Sequence, residues 1–160
     1  MALIDHNYNL PFNIIRCSHV EYGVKDLDAT RRFYVDIMGF VETERTKDTL
    51  YVRSLEEQNH HCLVFKQTGK SEVYALGFKV AFDKDLDLLE AHFKNLNLPN
   101  EWVTKHAEER TLRVKTPVGI PVEFHARQTK TPVMMREYGS HKGLMPLRFD
   151  HINCFTPDCQ

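Results

Sequence analysis

A chain of 160 residues, 42% of them hydrophobic, can bury one sizeable core or two small modules that share one. Its 21 basic and 22 acidic side chains are interspersed and sum to −1, so the charge pattern favours neither a nucleic-acid partner nor a solvating tail. Residues 1–15 lack a basic segment followed by a long apolar run, which argues against a signal peptide or membrane span, and none of the four cysteines forms a C-x-x-C pair, so they read as reduced thiols of a cytoplasmic protein.

After an arm over 1–15, residues 16–24 alternate as a half-buried strand. Asp26 can cap a helix running to about Met38, with Ala29, Phe33 and Ile37 in one apolar row and Tyr34 and Met38 in a second beside it. Gly39 fits the left-handed residue that ends such a helix. Strands are expected at 40–45, 49–54 and 61–67, giving the order βαβββ.

The order then repeats. Residues 74–82 read as a strand, and Asp83 or Asp85 can start a helix with Leu86, Leu89, Phe93 and Leu96 on its apolar face. Pro99 prevents its continuation. Strands are expected at 102–105, 111–116 and 121–126, with a turn at Pro117 to Gly119. The expected fold class is therefore α+β: two βαβββ modules, 16–70 and 71–127, forming one domain over 16–127. A connector follows at 128–147. Residues 148–155 alternate like the first strand, so 148–160 is expected to open a third module that the sequence does not complete. His19 precedes Asp26 by seven residues, and His151 precedes Asp158 by the same interval, which would make Asp158 a third helix cap. The unpartnered strand at 148–155 would be a free edge, prone to self-association.

Alternation places Cys17, His19 and Glu21 on one face of the first strand, with Val20 and Tyr22 on the other. Glu123 and His125 share a face opposite Val122 and Phe124. A sheet curling round a cup can bring these polar faces together, and His19 with Glu123 would suit a divalent metal. The alternative is that both are polar residues on a solvated or hydrogen-bonded face. The stretch Val73 to Phe78 supplies no third ligand. His60 and His61, adjacent in an expected strand, should point to opposite faces. His6, His92, His106 and His141 have no partner at ligand spacing. Neither a Gly-rich phosphate loop nor a G-x-S-x-G elbow is present.

The stretches Phe33-Tyr34-Val35-Asp36-Ile37-Met38-Gly39-Phe40, Leu50-Tyr51-Val52-Arg53-Ser54-Leu55-Glu56-Glu57 and His60-His61-Cys62-Leu63-Val64-Phe65 carry a family resemblance. Arg148-Phe149-Asp150-His151-Ile152-Asn153, leading into Thr156-Pro157-Asp158, extends it. The chain resembles the type I extradiol ring-cleaving dioxygenases of the vicinal oxygen chelate (glyoxalase/bleomycin resistance) superfamily, within them the homoprotocatechuate and catechol 2,3-dioxygenase group. The resemblance implies the amino-terminal, non-catalytic half of an oxidoreductase of aromatic catabolism, a homo-oligomer acting on a catechol-type substrate such as 3,4-dihydroxyphenylacetate with O2. It implies Fe(II) or Mn(II) held by two His and one Glu, a facial triad. His151 would be the first of these ligands, with the other two absent from this sequence. No catalytic residue and no stably bound metal are then expected within these 160 residues. His19 and Glu123 would mirror the triad as a vestigial site, with Ala75 where a second His would stand. Two other readings stay open. One is a self-contained two-module metalloenzyme like the glyoxalase or fosfomycin-resistance branch. The other is a small-molecule-binding module without chemistry.

Overall fold

The computed structural model of the chain describes residues 10–117 and 119–155. Val20 and Tyr22 alternate with His19 and Glu21 along β1 (Ile14–Val24), and this alternation decides which side of the strand receives a helix. Asp26 caps α1 (Leu27–Arg31), its Oδ1 accepting the N–H of Ala29 at 2.9 Å. The chain then widens into a π-helical stretch, Arg32–Ile37, in which the Met38 N–H donates to the Phe33 carbonyl. A single α-helix was the expectation here. The wider turn breaks the i, i+4 stacking, so Phe33 and Ile37, expected in the core, are 49% and 59% exposed, while Leu27 and Val35 are buried. Gly39 ends the segment with φ +84°. A Cβ on Gly39 would stand 1.8 Å from the Lys142 carbonyl oxygen, so only glycine lets the connector dock here. The Met38 carbonyl accepts the N–H groups of Leu144 and Met145, both at 3.1 Å.

Three strands complete the first module: β2 (Val41–Arg45), β3 (Thr49–Arg53) and β4 (Leu63–Gln67). β4 begins later than expected, which leaves His60 and His61 in the bend before it. The second module runs β5 (Glu72–Val80), α2 (Asp83–Asn95), β6 (Asn100–Val103), β7 (Thr111–Lys115) and β8 (Pro121–His125). α2 starts at Asp83, one of the two starts expected, with Phe82 at its cap; Asp85 reaches back from the first turn and accepts the Phe82 N–H at 2.9 Å. β6 ends at Val103, so Lys105 lies in a loop rather than in the strand expected there, together with His106.

Each module pairs its first and last strands in parallel, β1 with β4 and β5 with β8. Antiparallel pairing of β1 with β5 joins the modules into one eight-stranded sheet, ordered β2-β3-β4-β1-β5-β8-β7-β6. One apolar cluster packs Val20, Leu50, Val52 and Phe65 under Leu27 and Val35. The other packs Val80, Leu112, Val114 and Phe124 under Leu86 and Leu89. With helices covering the apolar face, the opposite face turns inward on itself and holds the polar side chains. The fold is α+β with two βαβββ units, as expected.

Residues 148–155 form no strand, contrary to the reading of their alternation. A strand needs a neighbouring backbone, and this segment is held in another way. The Leu55 and Glu56 N–H groups donate to the Pro146 and Leu147 carbonyls at 3.1 and 3.0 Å. The Phe149 N–H donates to Glu57 Oε1 at 3.2 Å, and Arg16 Nη2 donates to the Phe149 carbonyl at the same distance. Phe149 and Ile152 pack against the first module's core. The expected free edge is thus a strap along the first module. Asp158, the expected third cap, lies outside the described residues.

Candidate functional site

The inward face of the sheet gathers His19 and Glu21 from β1 with Glu123 and His125 from β8, all of them buried. The shared face expected for Glu123 and His125 is present. Cys17, however, does not join His19 on it. The β1–β5 register shifts between Cys17 and His19, and Ser18 takes the inward position, its Oγ 2.6 Å from His125 Nε2. His125 Nδ1 donates to the Arg127 carbonyl at 3.3 Å, which leaves Nε2 to accept the Ser18 hydroxyl proton. Both side chains are fully buried, so this serine–histidine pair is a structural bond.

Gly77 lies between the two halves of the cup, in register with His19 on β1 and Glu123 on β8. A Cβ on Gly77 would stand 2.3 Å from His19 Cε1, so the imidazole rests directly on the β5 backbone. Ala75 pairs two positions away, opposite Glu21. Neither residue offers a ligand atom. Gly77→Ala should therefore destabilise the chain by about 1–3 kcal/mol, the usual cost of overpacking a filled core. Urea unfolding would show this as a lower midpoint at constant slope. An unchanged midpoint would mean that the His19 ring is free to move.

Charge fills the remainder of the cup. His19 Nδ1 is 3.2 Å from Glu108 Oε1, and Nε2 is 3.5 Å from Glu123 Oε2. Neither ring nitrogen makes a directed hydrogen bond, so these contacts are ionic. Burial opposes protonation of His19, but the carboxylates of Glu108 and Glu123 outweigh it and raise its pKa. Lys105 Nζ is 2.5 Å from Glu21 Oε1 and 3.1 Å from Glu123 Oε2. Arg113 donates to Glu123 Oε1 through Nε at 2.9 Å and Nη2 at 2.7 Å. Burial would raise the Glu123 pKa; His19, Lys105 and Arg113 instead bring it down to about 2. Glu108, facing His19, His61 and His125, is held well below the carboxylate range against the same burial cost. Desolvation pushes His61 and His125 down to about 4, so both are neutral at pH 7.

Two groups of potential metal ligands meet here: His19 with Glu21 and Glu123, and His19 with His61 and Glu108. A third lies at the rim, where Glu44, His60 and His106 converge. His60 and His61 do not diverge as adjacent strand residues would. They sit in a bend, with their Nδ1 atoms 3.1 Å apart. His106 likewise has partners, Glu44 and His60. His151 is highly exposed, beside Asp150, and joins no group of three potential ligands among the described residues. Sequence reasoning missed Lys105, Glu108 and Arg113. The one available signal was the charged, aperiodic stretch Thr104-Lys105-His106-Ala107-Glu108-Glu109 between two strands.

A mirrored pair of βαβββ units folded round a polar cup is the architecture shared with a group of known proteins. Residues 16–160 match the Glyoxalase/Bleomycin resistance protein/Dioxygenase superfamily. The chain belongs to that superfamily. Among relatives of this superfamily chain is the manganese-dependent 2,3-dihydroxybiphenyl 1,2-dioxygenase of Geobacillus genomosp. 3, 23% identical over 89% of this chain and 49% of the relative. A metapyrocatechase of Pseudomonas sp. (strain CF600) is 23% identical over 92% of this chain and 52% of the relative. The chain thus spans about half the length of the curated relatives it matches. Among solved structures, homoprotocatechuate 2,3-dioxygenase from Arthrobacter globiformis superposes with a TM-score of 0.83 and 33% identity, covering 87% of this chain and 44% of that one. The Brevibacterium fuscum enzyme, in complex with 3,4-dihydroxyphenylacetate, gives a TM-score of 0.83 and 31% identity over 88% and 45%. Among the described residues, no helix is long and apolar enough to cross a membrane.

Proposed function

We propose that this chain is the amino-terminal, non-catalytic part of an extradiol dioxygenase that opens a catechol ring, 3,4-dihydroxyphenylacetate or a near relative, with O2. The observation that carries the reading is the occupancy of the cup. Glu21 and Glu123, two of the three carboxylates in the cup, already hold Lys105 and Arg113, and the third, Glu108, faces His19, His61 and His125. His19 is closed in by Glu108 and Gly77, and its side chain is fully buried. A charge-balanced interior of this kind supports a scaffold, and it does not fit an open coordination sphere. Fe(II) or Mn(II) would be held elsewhere in the complete enzyme, with His151 as one ligand and the others supplied from outside these 160 residues. Bound there, the metal would supply Lewis-acid and redox chemistry toward substrate and oxygen. This chain's part would be to support that half and the contacts of a homo-oligomer.

The second reading, a self-contained metalloenzyme, draws on the two His19 ring nitrogens that lack directed hydrogen bonds. One experiment separates the two. The chain is loaded anaerobically with ferrous ion, then given oxygen and 3,4-dihydroxyphenylacetate, and the yellow ring-cleavage product is followed by absorbance. No colour is expected. Colour that disappears in His19→Ala would overturn the scaffold reading in favour of a working site in the cup.

A further inference from the structure

The sheet has two free edges, β2 and β6, at opposite ends of its strand order. Glu44 of the first edge strand meets the loop that follows the second at the rim of the cup. Glu44 comes from β2, His106 from the loop after β6, and His60 from the bend before β4. Glu44 Oε2 lies 2.8 Å from His106 Nε2 and 3.2 Å from His60 Nε2. The three ligand atoms lie within 4.8 Å of one another. Ligands about 2.1 Å from a metal and at right angles stand about 3.0 Å apart, and tetrahedral ones about 3.4 Å apart. The Glu44–His60 separation falls in that range and the Glu44–His106 separation is about 0.2 Å below it, so small side-chain shifts would admit an ion.

The surroundings suit an ion as well. Tyr51 packs against all three neighbouring imidazoles, with ring centroids 5.4 Å from His60, 5.3 Å from His61 and 5.0 Å from His106. On its other nitrogen His60 meets His61, which is held in turn by Gln128 at 3.1 Å. His60 is nearly buried, whereas Glu44 and His106 have side chains 38% and 50% exposed, so the site opens to solvent on one side. Water could complete the coordination sphere there.

We propose that Glu44, His60 and His106 form a site for a divalent first-row transition ion, which clips the two ends of the curled sheet together at the rim of the cup. Two imidazoles and one carboxylate are ligands such ions accept. The clip joins residues 62 apart in sequence, so it closes a long loop and stabilises the folded chain.

The test is a calorimetric titration of zinc ion alone into the 160-residue chain in chelator-free buffer, with thermal unfolding followed in parallel. One ion per chain and a raised melting midpoint are expected. His106→Ala and Glu44→Gln should each weaken binding about tenfold or more and abolish the rise in midpoint. His92→Ala, on the far helix, should change neither. Circular dichroism without metal would confirm that the variants fold, and both altered side chains are partly exposed. Absence of binding, or an affinity unchanged in either rim variant, would overturn the proposal.

Discussion

Replacing Glu123 with alanine should destabilise the folded chain by about 3–5 kcal/mol, because it strips a buried charge from the partners built around it. Glu123 is completely buried and faces His19, Lys105 and Arg113. The three would not suffer equally. Lys105 keeps Glu21, and Arg113, one-third exposed, can turn toward Glu101, whose Oε1 is already 3.5 Å from its Nη1. His19 retains Glu108 and the more distant Glu21, and would give up its proton more readily. A loss of this size is a large share of the 5–15 kcal/mol that typically holds a domain together. Urea unfolding monitored by Trp102 fluorescence would measure it. A companion variant shows whether the cause is the uncompensated charge. Lys105→Met added to Glu123→Leu should recover part of the loss, because removing both charges together costs less than removing one. A loss under about 1 kcal/mol for Glu123→Ala would mean that water already reaches the cup.

The second large effect is acid sensitivity. His125 has a folded-state pKa pushed down to about 4 by burial, whereas in the unfolded chain it titrates near the ordinary 6.5. Between these values the unfolded chain binds the proton and the folded chain does not, so stability falls as pH drops from 6.5 toward 4. At 1.36 kcal/mol per unit the gap corresponds to about 3 kcal/mol. His61, also depressed to about 4, adds in the same direction. Glu123, at about 2, and Glu108, lower still, contribute stability that is full above the unfolded carboxylate pKa and begins to disappear below about 4.5. His19 works with the opposite sign. Its raised pKa contributes stability that is present below 6.5 and lost as pH rises through the folded value. The expected profile therefore falls from pH 6.5 to 5 and steepens below 4.5. Unfolding free energies at pH 7, 6, 5, 4.5 and 4 would trace it, and His125→Asn should flatten the upper part by about one proton. Equal stability at pH 7 and pH 5 would contradict the neutral, buried state of His125.

Much of the framework is local and can be read directly from the residues. The alternation of Val20 and Tyr22 with His19 and Glu21 sets the two faces of β1, since a strand has a period of two whatever surrounds it. Asp26 and Gly39 mark the helix ends because capping and left-handed backbone depend on a few neighbouring residues. The repeated order of elements and the inward face shared by Glu123 and His125 follow from the same short-range rules. Where a residue's neighbours come from distant parts of the chain, those rules lose their hold. A bulge put Ser18 where alternation put Cys17, and a π-turn moved Phe33 and Ile37 out of the core. His60 and His61 converge because they lie in a bend, where alternation no longer applies. The segment 148–155 has the pattern of a strand, yet its backbone is held by Leu55, Glu56, Glu57 and Arg16. Lys105, Glu108 and Arg113 acquired their meaning only when the sheet curled and placed them against His19, Glu21 and Glu123. The sequence by itself determined the two βαβββ units and the polar character of their inner face. The tertiary structure decided which charges meet on that face, because curvature and loop placement are long-range properties that no local period encodes.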